Sequence, residues 1–151
     1  MGTRRVDISV GTVRVLIADD HALFAKTLEA ILSGTPGIDV VGFAEDGLEA
    51  VGLAVTLSPD VVLMDLEMPH LDGIGATRRL RELGLGIPVL VLTASADPRL
   101  AQQAHEAGAK GYLTKDRIAT ALVPAVLGLA GSPARLSDDG GADVAGRARL
   151  G

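Results

Sequence analysis

Five short apolar runs, each followed by a segment of helical periodicity, constrain this chain more than any other feature. The runs are Val13 to Ala18, Ile38 to Phe43, Val61 to Met64, Val89 to Leu92 and the shorter Gly111 to Leu113. Near-continuous Val, Leu and Ile runs of this length suit strands buried on both faces, as in a parallel sheet covered by helices. From His21 to Ser33, Phe24, Leu28, Ile31 and Leu32 repeat at helical spacing. From Gly47 to Leu57, Leu48, Val51 and Val55 do the same, with Asp46 and Glu49 placed as a capping box. A third helix is expected from Gly73 to Leu83, stopped by Gly84. A fourth is expected from Pro98 to Ala107, with Asp97 as N-cap and Gly108 as terminator. The fifth spans about Asp116 to Ala130, and Pro124 inside it predicts a kink or an early end. Parallel neighbours need right-handed crossovers. The expected architecture is therefore an α/β domain with a doubly wound, five-stranded parallel sheet in the order 2-1-3-4-5.

Composition sets the outer bounds. The 151 residues suffice for one domain with a real core, and 48% hydrophobic against 22% charged residues is an ordinary globular balance. Aromatics are only 2%, so that core must be aliphatic. The lack of cysteine excludes disulfide frameworks, thiolate zinc sites and cysteine nucleophiles. A net charge of −5 argues against direct nucleic-acid binding by this chain. No apolar run approaches the roughly 20 residues that span a bilayer, and nothing at the start resembles a secretory leader. Val6 stands where a myristoylation signal has Ser or Thr. A soluble cytoplasmic domain with no membrane partner is expected. Residues 1–12 read as a flexible N-terminal extension and 13–130 as the domain. Residues 131–151, with five glycines and Asp138-Asp139-Gly140-Gly141, read as a linker-like tail.

In open α/β sheets, ligands bind beyond the carboxyl ends of the strands. Here the first strand ends in Asp19-Asp20, the third in Asp65, the fourth in Thr93 and the fifth in Leu113-Thr114-Lys115. In the order 2-1-3-4-5 those four strands are contiguous, and at about 4.8 Å per step their ends span roughly 15 Å. The second strand, outside this set, carries no site residue. Three converging carboxylates repel one another and need a cation, and with only oxygen ligands on offer a hard ion such as Mg²⁺ is implied. Asp65 then serves as ligand and nucleophile, Lys115 as a point positive charge and Thr93 as a hydroxyl donor to a phosphoryl oxygen. The chemistry reads as aspartyl phosphate formation.

Asp19-Asp20, the stretch Asp60 to Pro69 around Asp65, Asp72-Gly73, Thr93-Ala94, Tyr112 and Lys115 together resemble the receiver domain of bacterial two-component response regulators. The resemblance covers about residues 13–130. Ile17 to His21, Gly73 through Arg78-Arg79-Leu80-Arg81, and Gly111 to Asp116 are similar to the NarL/FixJ (LuxR) type. It implies a flavodoxin-like receiver fold in which Asp65 takes phosphate from a sensor histidine kinase or a small acyl phosphate. It also implies that Asp20, Asp65 and the backbone carbonyl of Glu67 hold Mg²⁺, with Asp19 acting through water. Thr93 and Tyr112 are implied to move together as a switch acting on the face of the fourth helix, fifth strand and fifth helix. Such a protein is no enzyme beyond its own phosphorylation and dephosphorylation. Two departures stand out. Asp116 follows the lysine where many receivers have a cis proline, so a trans bond or a rearranged turn is expected. Residues 131–151 cannot supply the helix-turn-helix domain that usually follows in this type, so control of transcription would run through an output domain absent from this chain.

Each residue also has a plainer reading. Asp19-Asp20 alone is a solvated loop, Asp65 a turn cap, Thr93 a strand-end hydroxyl, Lys115 a surface charge and Tyr112 a half-buried core residue. His21 reads as a residue capping or flanking the first helix, with tuning of the acidic site as its alternative, and the Arg78-Arg79-Arg81 cluster reads as a solvated face. The fourth helix offers only Leu100, Ala101, Ala104 and Ala107 inward, a weakly held face suited to a bistable element. The alternatives are a stand-alone receiver, a phosphate-independent interaction module, and a haloacid-dehalogenase-like phosphohydrolase. The last wants an Asp-x-Asp pair where this chain has Asp65-Leu66-Glu67, and a binding-only module has no need of three carboxylates. A second copy of the chain is a candidate partner, through the first and fifth helices or the fourth-fifth face.

Overall fold

The computed structural model describes residues 12–131. The expectations for 1–11 and 132–151 lie outside the described residues. Strands β1 (Val13–Ala18), β2 (Ile38–Ala44), β3 (Val61–Asp65), β4 (Val89–Thr93) and β5 (Gly111–Thr114) alternate with helices α1 (Ala22–Ser33), α2 (Gly47–Leu57), α3 (Gly73–Glu82), α4 (Pro98–Ala107) and α5 (Ile118–Ala130). All strand pairs are parallel and the sheet order is β2-β1-β3-β4-β5, as expected.

Side-chain alternation along the strands divides the interior into two cores. Leu16, Ala18, Val62, Met64, Val89 and Val91 face α2, α3 and α4, while Val15, Ile17, Val61, Leu63, Leu90 and Leu92 face α1 and α5. β3 and β4 are buried along their whole length, which is why they read as unbroken apolar runs. β2 and β5 differ from that expectation. They are edge strands, and Phe43 on β2 is 41% exposed.

The buried face of α2 is a correction. Leu48 and Val55 are 58% and 52% exposed and Val51 is half-buried, whereas Gly47, Ala50 and Ala54 face the sheet. Both stripes have helical spacing. The small-residue stripe is the buried one: Ala50 and Ala54 join the core with Leu16 and Met64, and at Gly47 a Cβ would collide with the backbone of Leu71. The capping pair forms, with Glu49 N donating to Asp46 Oδ1 at 2.8 Å and Glu45 N donating to Glu49 Oε1 at 2.7 Å. α5 begins later than expected, at Ile118, because Lys115–Arg117 form a 3₁₀ turn. It does not end at Pro124 but continues to Ala130, held by buried Leu122, Val126 and Ala130.

α4 buries only Ala104 and Ala107 completely, with Leu100 and Ala101 half-buried. Its C-terminal end is firmly tied. Gly108 takes φ +113°, Ala109 N donates to Ala104 O at 2.9 Å, and a guanidinium N–H of Arg81 on α3 donates to the Glu106 carbonyl.

Gly73, the first residue of α3, lies directly against the carbonyl of Asp65, and a Cβ there would overlap that oxygen and crowd Leu66 Cα. A Gly73→Ala variant therefore has to push the end of β3 out of place. It is expected to lose at least about 2 kcal/mol of stability in urea unfolding, on the scale of other overpacked sites. Gly52→Ala, in open space on α2, serves as the control with no loss.

Candidate functional site

Strand register explains how the site assembles. Ala18 pairs with Met64, so Asp19 comes level with Asp65, while Thr93 and Lys115 each follow a paired position (Asp65 with Leu92, Thr93 with Thr114). Four polar strand ends thus rise in a staggered row at one edge of the sheet. Asp19 and Asp65 are 4% and 3% exposed, and Asp20 lies at the surface.

Lys115 Nζ stands 3.2 Å from Asp65 Oδ1 and 3.3 Å from Asp19 Oδ2. No peptide bond among the described residues is cis, so Lys115-Asp116 is trans, and the lysine reaches both carboxylates from the 3₁₀ turn. Asp65 Oδ2 is buried with no hydrogen-bond partner among the described residues. Burial, followed by the charge of Asp19, pushes the Asp65 carboxyl up to about 6 against the opposing pull of Lys115. Ligand atoms of Asp19, Asp20, His21 and Asp65 all lie within 4.8 Å of one another. A set dominated by carboxylate oxygens, one of them buried and unpaired, fits a hard divalent cation.

The loop after β3 is fastened on both sides. Gly73 N donates to Leu66 O at 2.9 Å, and Thr77 Oγ1 donates to Gly73 O at 2.7 Å. His70, at φ +69°, meets Asp46 Oδ2 through Nδ1 at 2.8 Å. The bond from Glu49 N, then that of His70, holds the Asp46 carboxyl below its usual range. Glu67 on this loop is exposed and lines, with Asp65, Thr93 and Lys115, a hollow of about 730 Å³ that opens beside the carboxylates.

Thr93 is buried, and its Oγ1 accepts from Ser95 N at 3.1 Å. Ser95 Oγ in turn accepts from Asp97 N at 3.1 Å, and Asp97 Oδ1 caps α4 by accepting from Arg99 N at 2.9 Å. The Tyr112 hydroxyl donates to Ser95 O at 3.0 Å, and burial raises the phenol above its ordinary value. A ladder of polar contacts thus leads from the acidic hollow to the first turn of α4.

The residues singled out in the sequence are brought together, except that Tyr112 does not line the hollow and reaches it by its bond to the Ser95 carbonyl. Phe24 and Ser95 escaped sequence reasoning as site residues, and His21 gains a definite position beside the acid pair. His21 occupies the N-cap position of α1 without a side-chain cap, and its Nδ1 sits 3.1 Å from Asp20 Oδ1 and 3.3 Å from Asp19 Oδ1. Phe24 places its ring 4.3 Å from Lys115 Nζ. Ser95 joins Thr93 to Tyr112. Adjacency to the acid pair was a signal for His21, but Phe24 read only as part of an apolar stripe and Ser95 had none.

Similarity to known proteins follows the same outline. The family model described as the response regulator receiver domain matches residues 15–127. The transcriptional regulatory protein LiaR of Bacillus subtilis (strain 168) is 45% identical over 115 residues, which make up 76% of this chain and 54% of LiaR. The solved signal receiver domain of NarL from Mycobacterium tuberculosis aligns with TM-score 0.78 at 39% identity, over 80% of this chain and 98% of that one. A chain of the CheX–CheY–BeF3–Mg²⁺ complex from Borrelia burgdorferi aligns with TM-score 0.73 at 26% identity, over 81% and 92%. The chain spans about half the length of the curated relatives it matches. No helix among the described residues is long and apolar enough to cross a membrane.

A raised Asp65 carboxyl makes stability depend on pH. The folded state holds that proton more tightly than the unfolded chain, so this contribution is complete below the usual value of 3.8 and is lost as pH rises to about 6. In EDTA, Tm is expected to fall across that window relative to Asp65→Asn, and added Mg²⁺ is expected to offset the fall. Equal slopes in the two proteins would assign the dependence to other groups.

Proposed function

The chain belongs to the response regulator receiver domain family of two-component signalling, and we propose that it is switched by phosphorylation of Asp65. The observation carrying this reading is the buried, unpaired Asp65 Oδ2 at the edge of the hollow, with Lys115 Nζ holding the other oxygen. Asp65 oxygen attacks the phosphorus of a phosphohistidine on a sensor kinase, or of a small acyl phosphate. A P–O bond to Asp65 forms as the P–N or P–O bond to the donor breaks, and the leaving group takes the bonding pair. Lys115 offsets charge on the phosphoryl oxygens, and the Thr93 hydroxyl, which now accepts from Ser95 N, retains its own hydrogen to donate to one of them. Return to the resting state is attack by water, which breaks the Asp65–phosphorus bond and releases inorganic phosphate.

Asp20, Asp65 and the Glu67 backbone carbonyl would hold Mg²⁺, with Asp19 through water. Bound there, the ion supplies positive charge against the carboxylates and the incoming phosphoryl group. The donor set and the Mg²⁺ named in the Borrelia complex support this assignment. The chain is a cytoplasmic switch, not an enzyme acting on other substrates. Its signal reaches transcription through a DNA-binding output domain beyond this chain, a reading supported by transcriptional relatives such as LiaR. Its partners are a sensor histidine kinase and a second copy of the chain.

Incubation of the full chain with Mg²⁺ and acetyl phosphate is expected to add one phosphoryl group by intact mass, absent in Asp65→Asn. No gain in the wild type at saturating donor defeats the proposal. Thr93→Ala is expected to keep the mass gain but lose the phosphorylation-dependent NMR shifts of α4. Shifts of wild-type size in that variant would break the link between hydroxyl and helix.

A further inference from the structure

We infer that Phe24 is a positioning residue for phosphoryl transfer, its ring face holding the Lys115 ammonium over Asp19 and Asp65. The inference rests on the receiver reading and adds a role for a side chain that chemistry alone would pass over. An ammonium has three N–H bonds. Around Lys115 Nζ stand the Asp65 carboxylate at 3.2 Å, the Asp19 carboxylate at 3.3 Å and the Phe24 ring, with its centroid at 4.3 Å. The negative face of the ring attracts the cation, more strongly where water is excluded. The lysine side chain is only 19% exposed.

The β5 register places the backbone at Lys115, but the turn's own side chains add no restraint on the ammonium. The residue opens a 3₁₀ turn that has no buried side chain and no side-chain cap. The charge is therefore placed from its tip, by whatever surrounds Nζ. Phe24 is itself well placed to do this. It lies in the first turn of α1, half-buried against the core that includes Leu28 and Leu113, and it lines the hollow together with Lys115. Without the ring, the carboxylates still attract the ammonium, but its open side faces water and its position over Asp65 spreads out.

The test uses the full chain with Phe24→Leu, which removes the ring, and Phe24→Tyr, which keeps it. At saturating acetyl phosphate and Mg²⁺, Phe24→Leu is expected to phosphorylate roughly five- to tenfold more slowly, with Phe24→Tyr near the wild-type rate. Mg²⁺ affinity is expected to stay within about twofold in both, which a general loss of structure would not allow. The Lys115 Hε protons, assigned by their loss in Lys115→Arg, are expected to show a ring-current shift in the wild type and Phe24→Tyr that vanishes in Phe24→Leu. A wild-type rate in Phe24→Leu overturns this inference and leaves the receiver reading intact. So does an equal loss in Phe24→Tyr, or an absent ring-current shift. A wild type that takes no phosphoryl group overturns both.

Discussion

Two carboxylates buried at adjoining strand ends repel each other, and the ammonium of Lys115, from the 3₁₀ turn after β5, stands between them. Asp19 and Asp65 are almost wholly removed from water, and Lys115 touches both. One positive charge against two buried negative ones leaves a deficit, recorded in the raised Asp65 carboxyl and its unpaired oxygen. Burial of this kind is kept only where surrounding structure over-determines it. The staggered register of β1, β3, β4 and β5 and the contact of Gly73 with the Asp65 carbonyl supply that constraint. The same deficit favours a cation beside the carboxylates. Stability and chemistry are therefore in tension at one point of the fold.

Much of this was legible in the amino-acid order because the two levels use different signals. Fully buried parallel strands leave unbroken Val and Leu runs, and β3 and β4 declare themselves that way. Chemistry placed at strand ends is then located by topology alone, which is how Asp19, Asp65, Thr93 and Lys115 came to share a site. α2 was misread for a physical reason. Residue size favoured Leu48 and Val55, while the helix buries Gly47, Ala50 and Ala54, with Leu71 leaving no room for a Cβ at Gly47, and periodicity cannot separate the two stripes. Pro124 does not end α5 early, because the packing of Leu122, Val126 and Ala130 outweighs the backbone bond lost there. Contacts made through space by ordinary residues, such as Phe24 on Lys115 or Ser95 on Tyr112, leave no local mark in sequence.

Polar side chains transmit where apolar packing would only resist. Thr93, Ser95 and Asp97 are linked hydroxyl to amide in steps of two residues, and Tyr112 joins at the middle rung. Each bond is modest, about 1 kcal/mol net, so the ladder rearranges at a cost that a charged ligand in the hollow is able to supply. Packing on α4 sets no larger barrier, since its fully buried side chains are two alanines.

The two ends of that helix are unequal, and the difference has a mechanical meaning. Arg81, the left-handed Gly108 and the Ala109–Ala104 bond clamp the distal end, whereas the proximal end is capped by Asp97, which is itself tied to the hollow through the Ser95 and Thr93 hydroxyls. The helix is a cantilever with its fulcrum remote from the acidic hollow. A deflection begun at the hydroxyl rungs would therefore grow with distance from the clamp, widest at the first turn and least at the last.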